Sequence, residues 1–391
     1  MTMSSHDGST ARGATPAPRS MPGGSPRFQV AGHLRQLLAD ADRLAQIVSD
    51  ASAVGPSSEA IRATLALAGA DVALLPDVAS AAATVANAAA PPNTDGGSPE
   101  GASTDGARAG GASADGAGPN SAASSANAVR GGTWLDTLRV LDDPSDPQIR
   151  ALEVLGVKAA MDASDLATSM LSDTPAAASA LHRRLTRGLV GADRAGEPRH
   201  IEQAVHDGAT GRILYFTPEP ADVPTEIAEL SEWANDAGAQ HPVIVSGVLH
   251  HELLRIHPFD AANGRLARAA ARLVLTPAGV HADAEPALAA DPLGYHEEVA
   301  RSVRRRDLTI WLERWAEAVV SGLRVAAREC GGVDIEVAAD DRAFLDAHAT
   351  FTVADIRTHA GNEADRVTTR LLDAGAVTYC TGSRGLRFKT T

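Results

Sequence analysis

Cysteine is nearly absent: the 391 residues include two, Cys330 and Cys380. Two thiols build neither a disulfide framework nor a four-thiolate zinc site, and they fit a reducing compartment. Aromatic residues are only 3%. Ala, Leu and Val must therefore fill the core, which favours helices packed through small side chains over an all-β sandwich. No apolar run reaches the roughly 18 residues of a membrane span. The opening stretch MTMSSHDGSTARG has no apolar signal core. Positive charge is in the minority, with 35 Lys plus Arg against 49 Asp plus Glu and a net charge of −14. That excludes a protein that coats nucleic acid broadly but leaves room for a local basic patch. Together these absences predict a cytoplasmic chain with no membrane partner.

What is present is a hydrophobic content of 44%, enough for a sizeable core, in a length that suggests two or three folded units. Residues 1–27, rich in Ser, Gly and Pro, are expected to be disordered. An N-terminal helical arm is expected over 28–88. It begins with Leu34, Leu37, Leu38, Leu44, Ile47 and Val48 at helical spacing and continues after an N-cap at Ser57 or Ser58. Residues 89–132 are Gly, Ala, Ser and Asp without apolar period, a low-complexity linker or insertion. A core is expected over 133–330, with order returning at Trp134 and helices over 145–172, 175–189, 223–238, 242–255, 263–275 and 293–329. Within it, Ile213-Leu214-Tyr215-Phe216 is a short apolar run between Gly211 and Pro218, which predicts an extended or hairpin element. Residues 338–391 change pattern. Two short helices (353–359 and 363–374) precede two strands around Gly382-Ser383-Arg384-Gly385, the order of a winged-helix-like module.

The chemistry concentrates in Ile256-His257-Pro258-Phe259-Asp260-Ala261-Ala262-Asn263-Gly264-Arg265-Leu266-Ala267-Arg268. One helix ends near Ile256 and another begins just past the turn, at RLARAAARLVL. A turn that opens onto a helix N-terminus presents unpaired amides and the positive end of the helix dipole, which together attract an anion. Arg265 and Arg268 share a helix face and can reach phosphates there. His257 stands beside them as a proton acceptor. Zinc is a weaker reading of His250, His251, Glu252 and His257, because the metalloprotease pattern places histidines four apart.

This segment resembles the signature of the Fic (Fido) family, His-x-Phe-x-Asp/Glu-Gly/Ala-Asn-Gly/Lys-Arg with a second Arg three residues on. The matches are His257, Phe259, Ala262, Asn263, Gly264, Arg265 and Arg268. Leu181-His182, Gly196-Glu197-Pro198-Arg199, His250, Tyr295 and Trp311-Leu312 extend the resemblance over roughly 135–325. The resemblance implies a mainly α fold: a helical Fic core with a small β-hairpin flap, here joined to the winged-helix-like tail. It also implies transfer of AMP from ATP, the substrate, to a Ser, Thr or Tyr hydroxyl of a protein target. In that scheme His257 is the general base. Asp260, Ala261, Ala262, Asn263 and Gly264 form the nucleotide-binding loop, with Arg265 and Arg268 on the phosphates. Leu214, Tyr215 and Phe216 form the flap on which the target docks.

Two departures stand out. The acid that normally holds Mg²⁺ is Ala261 here, which leaves Asp260, one residue early, as the competing metal ligand. The inhibitory helix of many relatives, Ser/Thr-x-x-x-Glu-Gly/Asn, has no intact copy; Ser57-Ser58-Glu59 lacks its spacing. Besides AMP transfer, two readings therefore stay open. One is a weakened Fic protein that binds nucleotide. The other is a transcriptional or adaptor protein acting through its tail, where Arg366, Arg370, Arg384, Arg387 and Lys389 offer a DNA contact that the net acidity disfavours. A homodimer is also left open.

Overall fold

The computed structural model describes residues 27–49, 56–68, 75–89, 146–206, 211–333, 336–380 and 387–391. The expected leader (apart from Arg27), the insertion after Ala89, Trp134 and the Gly382–Gly385 turn lie outside these residues. The fold is mainly helical, with two small antiparallel sheets.

The arm contains α1 (Gly32–Ser49), α2 (Ser58–Ala66) and α3 (Val78–Ala89). Ser57 is the N-cap of α2, its hydroxyl accepting from the Ala60 N–H at 3.0 Å. The core contains α4 (Pro147–Met161), α5 (Ala167–Ser172), α6 (Thr174–Leu185), α7 (Val223–Asp236), α8 (Pro242–Ile256), α9 (Asn263–Leu275), α10 (Glu285–Ala289), α11 (Pro292–Arg305) and α12 (Thr309–Glu329). Two long helices expected from periodicity are each split. The 145–172 pattern breaks between α4 and α5. The 293–329 pattern breaks at Arg306, which has a left-handed φ of 50°, because apolar spacing does not register a single reversed residue. The short helices α3 and α10 have no counterpart in the periodicity.

Helix α8 is central. All its residues except Pro242 and Arg255 are buried, as expected of a helix apolar on every side. Trp311 and Trp315 of α12 cross it, their indole N–H groups donating to Gly247 O at 2.8 Å and Ser246 Oγ at 3.0 Å. The polar residues of α8 bond to protein groups, apart from His250 Nδ1, which is buried without a partner. His251 bonds Glu252 and Ser302, both at 2.8 Å, and His250 Nε2 bonds the Tyr295 hydroxyl at 2.9 Å. The histidines that raised a zinc reading thus meet protein groups.

Strands β1 (Ala204–His206) and β2 (Ile213–Phe216) form the hairpin flap, paired Ala204 to Phe216 and Val205 to Tyr215. The tail unit is α13 (Ala339–Ala347), β3 (Thr350–Thr352), α14 (Val353–Ala360), α15 (Ala364–Asp373), β4 (Val377–Tyr379) and β5 (Arg387–Thr390), with strand order β3-β5-β4 and its own apolar core around Phe351 and Phe388. A buried ion network fastens it to the rest. Arg324 of α12 bonds Asp373 and Asp40 of α1, each at 3.0 Å, and Arg43 bonds Asp373 at 3.0 Å. Of the tail's basic residues, Arg370 is paired with Asp341 and Arg366 with Glu363.

Candidate functional site

Helix α8 ends at His257, which takes a left-handed conformation (φ 53°, ψ 59°) while its N–H still donates to Leu253 O at 3.1 Å. The left-handed residue turns the chain sharply, so α9 starts six residues later. The connecting loop is held from three sides. Phe259 stacks on the His182 ring at 4.1 Å, and His182 bonds the Ala261 carbonyl at 3.2 Å. The Asn263 side chain accepts from the Phe259 N–H at 3.0 Å and donates to its carbonyl at 2.7 Å. Gln203 donates to the Asp260 carbonyl at 3.1 Å. Asn263 is expected among the phosphate contacts; its side chain is spent instead on holding the loop in shape.

Ala262, also left-handed (φ 61°), is the N-cap of α9, and no side chain caps that helix. The first amides of α9, at Asn263, Gly264 and Arg265, are thus left facing the turn. Gly264 leaves room beside Arg268: a Cβ there would lie 3.3 Å from Arg268 Nη1, a tight contact.

Arg265 and Arg268 are both fully buried. Arg265 donates to Glu153 of α4 at 3.2 Å, leaving its Nε and Nη2 without partners. Arg268 donates to the Thr64 carbonyl at 2.7 Å and meets the Tyr295 hydroxyl at 3.5 Å, while its Nε has no partner. Unpaired buried guanidinium N–H groups are costly, and an anionic ligand is their natural complement.

His257 Nδ1 lies 3.2 Å from the Leu254 carbonyl. A carbonyl only accepts, so that bond assigns the ring proton to Nδ1 and leaves the lone pair on Nε2. Burial lowers His257 to about 4, against the opposing pull of the Leu254 carbonyl, with the Arg199 charge lowering it further. The ring is neutral at pH 7 and able to take a proton.

Asp260 does not stand free for a metal. One carboxylate oxygen is paired with Arg194, and only the other, Oδ1, is buried without a partner. Ala261 offers no side-chain oxygen, and its carbonyl is taken by His182. The guanidinium already on Asp260 repels a divalent cation, so Asp260 and Ala261 do not fit the usual Mg²⁺ position.

The flap requires a correction. Leu214 and Tyr215, expected with Phe216 on the docking face, point inward at 7% and 6% exposure. Strand alternation is broken by a register shift next to Val205, which puts two consecutive residues of β2 inside. Tyr215 donates to the Leu254 carbonyl at 3.1 Å. The outward apolar face consists of Phe216, 73% exposed, with Ile213 and Ile201.

The contact of the last turn of α2 with Arg268 is absent from the sequence reading. A signal exists: Thr64-Leu65-Ala66-Leu67-Ala68-Gly69 has the spacing of the relatives' inhibitory motif with Ala68 in place of its Glu. The Glu153 partner of Arg265 has no such signal, being a single acid in an ordinary helix.

A neutral, lone-pair-bearing histidine beside an uncapped helix N-terminus with two incompletely paired arginines defines a helical domain arranged to bring a base against an anion. Residues 173–275 match the Fic/DOC family, and the chain carries a Fic domain. Similar solved structures include a Fic family protein from Desulfovibrio desulfuricans G20, with 16% identity over 94% of this chain and 98% of that one and a TM-score of 0.49. Fic-1 of C. elegans has 14% identity over 76% of this chain and 72% of that one, with a TM-score of 0.44. A Fic domain containing signaling protein from Bacteroides thetaiotaomicron VPI-5482 has 21% identity over 49% and 76%, with a TM-score of 0.37. Among the described residues no helix is long and apolar enough to cross a membrane.

Proposed function

We propose that the chain is a nucleotidyltransferase that moves AMP from ATP to a hydroxyl side chain of a protein. The observation that carries this reading is the uncapped N-terminus of α9 with unpartnered N–H groups on Arg265 and Arg268 beside the free Nε2 of His257. His257 Nε2 accepts the proton of the target hydroxyl. That oxygen bonds to the α-phosphorus, the bond from the α-phosphorus to the bridging oxygen breaks, and diphosphate leaves with the electron pair. The amides of α9 and the two arginines offset the charge that develops on it.

The weakened, nucleotide-binding reading draws on a separate observation, the pairing of Asp260 with Arg194 beside Ala261. It predicts slow transfer with little dependence on Mg²⁺, and a gain on Ala261→Asp. The deciding experiment incubates the native chain and His257→Ala with α-labelled ATP and cell lysate. Loss of label in the variant, with ATP affinity kept within about twofold, is expected because a base contributes little to holding phosphates. Equal labelling by both proteins would remove His257 as the base. ATP binding without any labelling by the native protein would favour the weakened reading.

A further inference from the structure

Arg199 lies outside the catalytic signature, yet it touches more of the site's backbone than any residue in it. The chain reaches Arg199 from a pinned turn: Gly196, left-handed at φ 83°, donates its N–H to His182 Nδ1 at 2.8 Å. The Arg199 N–H then donates to the Pro258 carbonyl at 2.9 Å. Its side chain, buried to 1% exposure, spreads over four more carbonyls. Nε donates to His257 O at 2.8 Å and Nη1 to Ile201 O at 2.9 Å, while Nη2 serves Pro218 O and, at 3.4 Å, Ile256 O.

These acceptors fall into two groups. Ile256, His257 and Pro258 follow one another at the end of α8, where carbonyls lack helical partners and a cation meets the negative end of the dipole. Ile201 and Pro218 flank the flap, at the entry to β1 and the exit from β2. Among the described residues no carboxylate bonds the guanidinium; the hydrogen bonds on this buried cation go to carbonyls, with Asp260 and Glu219 acting on it only through their charge. Such a group is expensive to bury, and its planar fork is the one side chain able to bridge both groups at once. A second link runs in parallel: Tyr215 of the flap and His257 Nδ1 share the Leu254 carbonyl.

We propose that Arg199 is a positioning residue that fixes the His257 base and the target-docking flap as one rigid unit, with Tyr215 as its second tie. The inference rests on the nucleotidyltransferase reading for what the unit does, but not for its existence. Arg199 holds the left-handed turn that aims His257 Nε2, and it fixes the distance from that atom to a segment lying along Phe216. Phosphate binding, on the other side of the loop, does not depend on it.

The test uses the full chain as native, Arg199→Lys and Tyr215→Phe. Lysine keeps the charge but cannot span both groups. Tyr215→Phe removes one oxygen and tests the second tie even where Arg199→Lys fails to fold. Three quantities are read: ATP affinity by calorimetry, transfer rate at saturating ATP, and the His257 ring tautomer by nitrogen NMR. The native ring should show the single Nδ1–H form. In both variants it should become a mixture, with transfer reduced about a hundredfold in Arg199→Lys, as a misplacement near 1 Å allows, and less in Tyr215→Phe. ATP affinity should stay within about twofold. An unchanged tautomer overturns the proposal, as does an ATP affinity that falls in step with transfer, which marks a general structural role. If the native chain transfers nothing, the nucleotidyltransferase reading fails, and the tautomer in the three proteins still decides whether Arg199 holds the base.

Discussion

His257 and Ala262 bracket the loop between α8 and α9 in left-handed conformations, each costing about 1–2 kcal/mol for a residue with a side chain. The bonds from Arg199, His182 and Asn263 hold that strain in place. At the residue scale the consequence is a pH dependence. With His257 lowered to about 4 by burial, the base is available at every pH well above that value. Transfer at saturating ATP should therefore be level from about pH 6 to 8 and fall only toward pH 4, not near the ordinary histidine value of about 6.5. An acid limb near 6.5 in a rate profile would contradict this. Stability follows the same shift. His182 is also lowered to about 4, chiefly by burial. Between 4 and 6.5 the unfolded chain binds protons that the fold refuses, so stability is complete above 6.5 and declines as pH drops through that window. Each histidine contributes up to about 1.4 kcal/mol per pH unit. Glu285, raised to about 7 chiefly by burial, acts in the opposite direction between its ordinary carboxylate value and 7. His250 is lowered by burial as well, so three histidines outweigh Glu285, and the melting temperature at pH 5 should lie below that at pH 7.

Helix α2 has nine residues, too few to persist without packing. It is held by its Ser57 cap, by the Ser57 N–H on Asp283 at 3.1 Å, by Arg268 on its last turn and by buried Ile61 and Leu65. At the element scale, on the proposed nucleotidyltransferase reading, α2 and the ATP phosphates would draw on the same Arg268. Ile61→Ala, which removes packing worth about 2–4 kcal/mol, should loosen α2 and tighten ATP binding several-fold in calorimetry. Unchanged or weaker binding would show that α2 does not compete. The flap gives a complementary expectation. Phe216 is largely exposed, so Phe216→Asp should leave melting temperature and ATP affinity almost unaltered while reducing labelling of protein targets. Labelling at the native level would place target docking elsewhere.

At the scale of the whole molecule, α1 and α12 form the platform on which the tail unit sits, and Asp373 is the contact that three arginines share. Its carboxylate bonds Arg324 and Arg43, and its carbonyl accepts from Arg328 at 2.9 Å. Asp373→Asn leaves Arg324 and Arg43 to share Asp40, a loss of about 1–2 kcal/mol. The melting temperature should drop, and limited proteolysis should release the tail unit from the Fic domain; resistance equal to native would mean that apolar contacts alone hold it. Sequence alone determined the Fic signature from His257 to Arg268 and the helices α8 and α9 around it. There, strong apolar periodicity meets a long ordered motif, and both are local properties of the chain. It also determined that β2 is extended, because an apolar run between Gly211 and Pro218 has no room for a helix. Only the tertiary structure decided which way the flap residues face, since a register shift beside Val205 turns Leu214 and Tyr215 inward. Only it paired Asp260 with Arg194, Arg265 with Glu153 and Arg268 with Thr64, contacts across 66, 112 and 204 residues. Such partners are chosen by packing, where the cost of a buried unpaired charge selects whatever group the fold brings within reach, and no local spacing in the chain records that choice.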